Sequence, residues 1–199
     1  MTIIDYWCTC TMSSEGPNFN LIVSTYAMRE EAAIEELKQY VGGVYVVKKQ
    51  RSLLIIKLTR MDPYEAIDTI RESIDPRFTN ILKIIPVDRV EEAIVQKVAE
   101  AVWSVVDEKI KPDETYRITL DGRLYWLREG GLLEKAHTMD SINYIAEKID
   151  RKVNLSKPDK IVYIKTVRVG YGDYAAIAIC EPKYILSTQK LLHEIQRKG

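Results

Sequence analysis

The alternation of apolar and polar residues becomes regular at Phe19. Leu21 to Tyr26 is a compact apolar run that predicts a strand. Helical spacing follows, with Ala33, Ile34, Leu37, Tyr40 and Val41 on one face and Glu30, Glu31, Glu35, Glu36 and Lys38 opposite. Gly42-Gly43 stops that helix. Val44 to Lys48 and Leu53 to Thr59 predict two paired strands around a polar turn at Arg51. A second helix is signalled by Asp62 as N-cap, Pro63 in the first helical position and Glu65 completing a box-like pattern, with Ile67, Ile70 and Ile74 inward. A fourth strand, Asn80 to Ile85, ends at Pro86. The order βαββαβ over about 70 residues is the split βαβ, ferredoxin-like arrangement. Residues 19–87 are therefore expected to form a ferredoxin-like domain, preceded by an irregular segment, 1–18.

Past Arg89 the period changes. Val90, Ile94, Val98, Val102, Val106 and Ile110 recur every four residues and predict one long amphipathic helix, ended by Pro112. Thr115 to Leu120 is a strand with Arg117 and Thr119 on one face, and Asp121-Gly122 is a turn. Arg123 to Glu134 fits no single element, because Gly130-Gly131 interrupts its apolar residues. A helix capped by Asp140 places Ile142, Ile145, Ala146 and Ile149 inward and Ser141, Asn143, Tyr144 and Lys148 outward. Pro158 cannot lie in a central strand, so the next strand starts after it. In that strand Ile161, Tyr163, Lys165 and Val167 point one way, and Val162, Ile164 and Thr166 the other. A turn at Gly170 to Asp173 leads to a last strand, Tyr174 to Cys180, and Thr188 to Lys198 predicts a closing helix. Residues 88–199 are read as a second domain including that helix, and the class as α+β.

The formal net charge of zero argues against indiscriminate nucleic-acid binding. The halves differ, however. Residues 1–114 hold 14 Lys/Arg against 19 Asp/Glu, and residues 115–199 hold 15 against 10. A net −5 beside a net +5 suggests that the second half faces an anionic partner. No apolar run approaches the 18 or so residues of a membrane span. The opening MTIIDYWCTC lacks a basic stretch followed by a long apolar core, so no secretion signal is expected. Cys8, Cys10 and Cys180 form no bracing pattern, and reduced thiols in the cytoplasm are the expectation.

Catalytic signatures are lacking: there is no GxSxG, GxxxxGK[ST], HExxH, or GxGxxG after a strand. Cys8 and Cys10 are too few for a four-ligand zinc site, and neither histidine has a sequence neighbour for metal binding. No cofactor is expected. Arg168-Val169-Gly170-Tyr171-Gly172 superficially suggests an acetyl-CoA pyrophosphate loop, yet its glycines precede a strand where a helix N-terminus would be needed. Cations interleaved with aromatics are a stronger signal. Arg117, Arg123, Arg128, Lys135, Arg151, Lys152 and Lys157 stand among Tyr116, Tyr125, Trp126 and Tyr144. Cations hold phosphate oxygens and aromatic planes stack unpaired bases, which suits single-stranded RNA ends better than duplex.

From about Val90 to Cys180 the chain resembles a THUMP domain. The features are the long helix, the strand TYRITL, an arginine-bearing linker, the helix SINYIAEKI, the stretch RKVNLSKPDKIVYIKTV and a hairpin ending in YAAIAIC. KVNLSKPD is similar to the family pattern of a basic residue, Val, Asp or Asn, Leu, two free positions, Pro and Asp. The resemblance implies an RNA-binding module of tRNA-modifying systems that grips the acceptor stem and the unpaired 3′ CCA end. A ferredoxin-like domain commonly precedes it. With the chain reaching only Gly199, the resemblance implies the stand-alone branch: an adaptor that presents tRNA to a separate modifying enzyme, a tRNA cytidine acetyltransferase. In REGGLLEKAHTMDS the family's basic, serine-bearing helix entrance maps to Arg128, Lys135, His137 and Ser141. The expected RNA contacts are then Arg117, Arg123, Arg128, Lys135, His137, Ser141, Arg151, Lys152 and Lys157, with Tyr144 for stacking. The alternative is a minimal acetyltransferase acting alone through the Gly170/Gly172 loop.

Overall fold

A computed structural model describes residues 16–198; Cys8 and Cys10 lie outside the described residues. The first four strands are β1 (Leu21–Thr25), β2 (Val44–Gln50), β3 (Leu53–Leu58) and β4 (Ile81–Pro86), with α1 (Glu30–Tyr40) after β1 and α2 (Pro63–Ser73) after β3. They pair antiparallel in the order β4-β1-β3-β2. Asp62 caps α2 as its sequence suggests, its carboxylate accepting from the Tyr64 amide at 2.8 Å with Pro63 next in line.

The stripe from Val90 to Ile110 is not one helix. It divides into β5 (Arg89–Glu92), α3 (Val95–Trp103) and α4 (Val106–Lys109). Val90 pairs with Ala176, and the antiparallel pairing of Arg89–Glu92 with the last long strand overrides the four-residue period. Between the helices Val105 leaves helical geometry at φ −128°, ψ −6°. The stretch that fits no pattern is a hairpin of β7 (Tyr125–Leu127) and β8 (Leu133–Lys135), following β6 (Thr115–Asp121). Gly130 and Gly131, at φ 74° and 80°, supply the left-handed backbone its turn needs. Then come α5 (Thr138–Ala146), β9 (Lys152–Val153), β10 (Lys160–Val169) and β11 (Gly172–Cys180). The second sheet runs β5-β11-β10-β6-β9, with β6 parallel to both β10 and β9.

The sheets stack face to face. β10 alternates as its sequence requires: Val162 and Ile164 join the core beneath α3 and α5, while Ile161, Tyr163 and Val167 meet Ile22, Ile55 and Ile85 of the first sheet. A third core lies between the first sheet and α1 and α2. The layers thus run helix, sheet, sheet, helix. The chain finally returns to the first sheet, where β12 (Leu186–Ser187) adds to β4 and α6 (Thr188–Lys198) follows. The closing helix, grouped in the sequence reading with the second domain, therefore belongs spatially to the first sheet. The buried Thr188 hydroxyl donates to the Ile81 carbonyl at 2.8 Å and secures that return. No helix among the described residues is long and apolar enough to cross a membrane.

Candidate nucleic-acid interface

The motif KVNLSKPD builds a loop at the edge of the second sheet. Lys152 and Val153 pair with Thr115 and Tyr116, and the Asn154 amide continues the ladder by donating to the Tyr116 carbonyl. The Asn154 side chain then closes the turn: its Oδ1 accepts from the amides of Ser156 and Lys157, and its Nδ2 donates to the Lys157 carbonyl at 2.8 Å. Asp159 locks the far side, accepting at one carboxylate oxygen from the Thr115 amide and hydroxyl at 2.8 and 2.6 Å. These bonds, the hydroxyl first, hold the Asp159 carboxyl below its ordinary pKa. Asn154, Thr115 and Asp159 are thus structural, and what they display to solvent is Lys152 and Lys157, both exposed. Arg117 turns toward the same loop and donates to the Leu155 carbonyl at 3.0 Å.

The expected contacts fall into three groups. Lys152, Lys157 and Arg117 gather at the start of β6. Arg123, Arg128, Lys135 and His137 gather beyond its other end, on and beside the β7–β8 hairpin, about 20 Å away along a seven-residue strand. Arg128 is already engaged, ion-paired with Glu134 at 2.7 Å and lying over the Trp126 ring. Arg123, Lys135, Lys152 and Lys157 are exposed and have no ion pair among the described residues. His137 is exposed at the N-cap of α5, whose first amides receive no side-chain cap.

The third group does not reach the surface in usable form. Ser141 is fully buried, and its hydroxyl donates to the His137 carbonyl one turn back. Tyr144 is half-buried and packs against Trp103 and Trp126, ring centroids 5.7 and 5.2 Å away, so its ring is engaged at the edge of the core. The Arg151 side chain is 11% exposed and donates to the Ile110 carbonyl, to Asp107 and to the carbonyl of Asp150. The spacing Ser141, Ile145, Ile149 carries the signal that would have put Ser141 inward. Nothing comparable marks Arg151, whose partners come from 41 and 44 residues away.

The Gly170-Tyr171 pair that suggested an acetyl-CoA loop is a two-residue hairpin turn closing β10 and β11, Val169 facing Gly172. Further along β10 a polar group joins it to its neighbour β6: Asp121 accepts from Tyr163 at 3.1 Å and from Lys165 at 2.7 Å. Burial pushes the Asp121 carboxyl up, but Lys165 and Tyr163 outweigh it and hold it below its ordinary value.

No protein-family model matches the sequence, and no curated protein matches it. Solved structures do share its fold. PH1313 from Pyrococcus horikoshii Ot3 covers 82% of this chain with a TM-score of 0.50 at 15% identity, over 55% of its own length. TrmN from Thermus thermophilus covers 80% with a TM-score of 0.50 at 13% identity, over 45% of its length. At these identities the likeness is one of fold. The chain spans about half the length of the solved structures it matches.

Proposed function

We propose that this chain is a tRNA-binding adaptor in which a THUMP unit receives the acceptor stem and 3′ CCA end. The observation that carries the reading is the set of exposed cations at the two ends of β6. Arg123, Lys135, Lys152 and Lys157 are held outward by ordered backbone and have no acidic partner among the described residues. Cations so placed bind phosphate without first breaking an internal ion pair. The THUMP-like fold and the positive second half support the same reading. The order β4-β1-β3-β2 supports taking residues 19–87 as a ferredoxin-like unit that adds length between the grip and the modified nucleoside. The chemistry is left to a separate tRNA cytidine acetyltransferase.

Gel-shift titration of intact tRNA against tRNA trimmed of its CCA end tests the grip. Trimming weakens binding if the reading holds; equal affinity, or none for either, refutes it. Incubation with tRNA and acetyl-CoA tests the adaptor role. Acetylated cytidine formed by the purified chain alone would establish an enzyme instead.

A further inference from the structure

Two adjoining cavities lie beside the β10–β11 turn, and of the interface cations Arg123 borders the smaller one. The larger, about 450 Å³, is lined by Ile94, Tyr125, Leu133, Tyr171 and Tyr174, with the carboxylates of Glu92 and Asp173 at its wall. The smaller, about 240 Å³, is lined by Arg123, Thr166 and Arg168 and shares Tyr125 and Asp173 with the first. Lys48 and Gln50 of β2 donate to the Arg168 carbonyl at 2.8 and 2.5 Å, which ties the strand carrying Arg168 to the first sheet. The cleft has an aromatic, acid-edged half and a cationic half built from Arg123 and Arg168.

We propose that this cleft takes one unpaired nucleotide of the bound RNA, with its base in the aromatic half and its phosphate against Arg123 and Arg168. The proposal rests on the RNA-binding reading and adds a base-recognition site to it. Tyrosine faces stack on any base. The carboxylates decide orientation and preference. They repel phosphate, which sends the backbone to the arginines, and they accept hydrogen bonds from an exocyclic amino group. Cytosine and adenine carry that group and uracil does not. Arg168 approaches Asp173 at only 4.0 Å and Glu92 is paired with Lys97 at 2.9 Å, so Asp173 is the freer acceptor. Tyr171 is fully exposed, as a stacking side chain awaiting a base must be, and packs against no core.

The test is fluorescence-anisotropy binding of ten-nucleotide rC, rA and rU oligomers and of intact tRNA to the full chain. The variants are Tyr171→Ala, Arg168→Ala and Asp173→Ala, all at exposed positions whose replacement leaves the cores untouched. Wild type binds rC and rA more tightly than rU. Tyr171→Ala weakens rC about tenfold, Arg168→Ala lowers the salt slope by about 0.7, and Asp173→Ala abolishes the preference for amino-bearing bases. If wild type binds tRNA and Tyr171→Ala binds it equally well, the cleft proposal is overturned while the adaptor reading stands; such a cleft would then suit a protein partner. If wild type binds no tRNA, both fall.

Discussion

Replacing Asp88 with alanine probes how firmly the two sheets are joined. Asp88 lies between β4 and β5 with its side chain 15% exposed. One oxygen accepts from the Tyr64 hydroxyl of α2 at 2.8 Å and is 3.4 Å from the Lys109 ammonium of α4; the other accepts from the Ile179 amide of β11 at 2.8 Å. Three elements from both sides of the molecule thus meet on one carboxylate. Two short bonds to a charged acceptor contribute roughly 1.5–3 kcal/mol each, and alanine leaves the hydroxyl of half-buried Tyr64 and the amide of buried Ile179 without these partners. Asp88→Ala should lower stability by about 4 kcal/mol, a large part of the 5–15 kcal/mol typical of a folded domain. At about 2–4 °C per kcal/mol for a chain of this size, Tm falls by about 10 °C. Asp88→Asn keeps an acceptor for Tyr64 but turns a donor toward the Ile179 amide, so its loss is about half as great. Urea titration followed by circular dichroism and tryptophan fluorescence measures both, with the midpoint moving at constant m. Combining Asp88→Ala with Tyr64→Phe should cost less than the two single losses together. A loss below about 1 kcal/mol for Asp88→Ala, or equal values for the alanine and asparagine variants, would refute the reasoning.

Tyr144→Ala opens the aromatic group beneath α3 and α5 and should destabilise the fold by about 2 kcal/mol, whereas Tyr144→Phe should be nearly neutral in stability and in tRNA affinity; a large affinity loss in Tyr144→Phe would return it to the interface. Lys152→Ala and Lys157→Ala should each reduce the slope of log affinity against log salt by about 0.7 without moving the urea midpoint; a lysine outside the interface leaves the slope unchanged. The fold should weaken in alkali. Burial first, and Asp88 second, push the Cys180 thiol from 9.0 up to about 12, and burial raises Tyr64 and Tyr163 as well. The unfolded chain then releases protons that the folded chain keeps, so stability present below pH 9 declines as pH rises through the window to 12, which urea midpoints at pH 8 and 10.5 would detect. Replacing Cys180 with alanine should flatten that decline, and an unchanged decline would remove the thiol from the account.

Local patterns carried much of this architecture. The period-two alternation of β10, the capped start of α2 and the closing helix at Thr188 are each readable because neighbouring residues settle them: strand faces alternate with the pleat, and a cap bonds within its own turn. The KVNLSKPD loop is legible for the same reason, since Asn154 reaches only three residues. Other features depend on residues brought together from far along the chain. Val90 reads as helical until β11 offers it a strand partner, and the closing helix gives no sign in sequence that it will return to β4. The candidate interface divides along the same line. Sequence proposes cations, but whether a cation faces solvent depends on what packs beside it: Asp107 and the Ile110 carbonyl claim Arg151, two tryptophans pack against Tyr144, and nothing claims Lys152 or Lys157 among the described residues. The cleft around Tyr171 exists only because the fold brings β5, the β7–β8 hairpin and the β10–β11 turn together from separate parts of the chain.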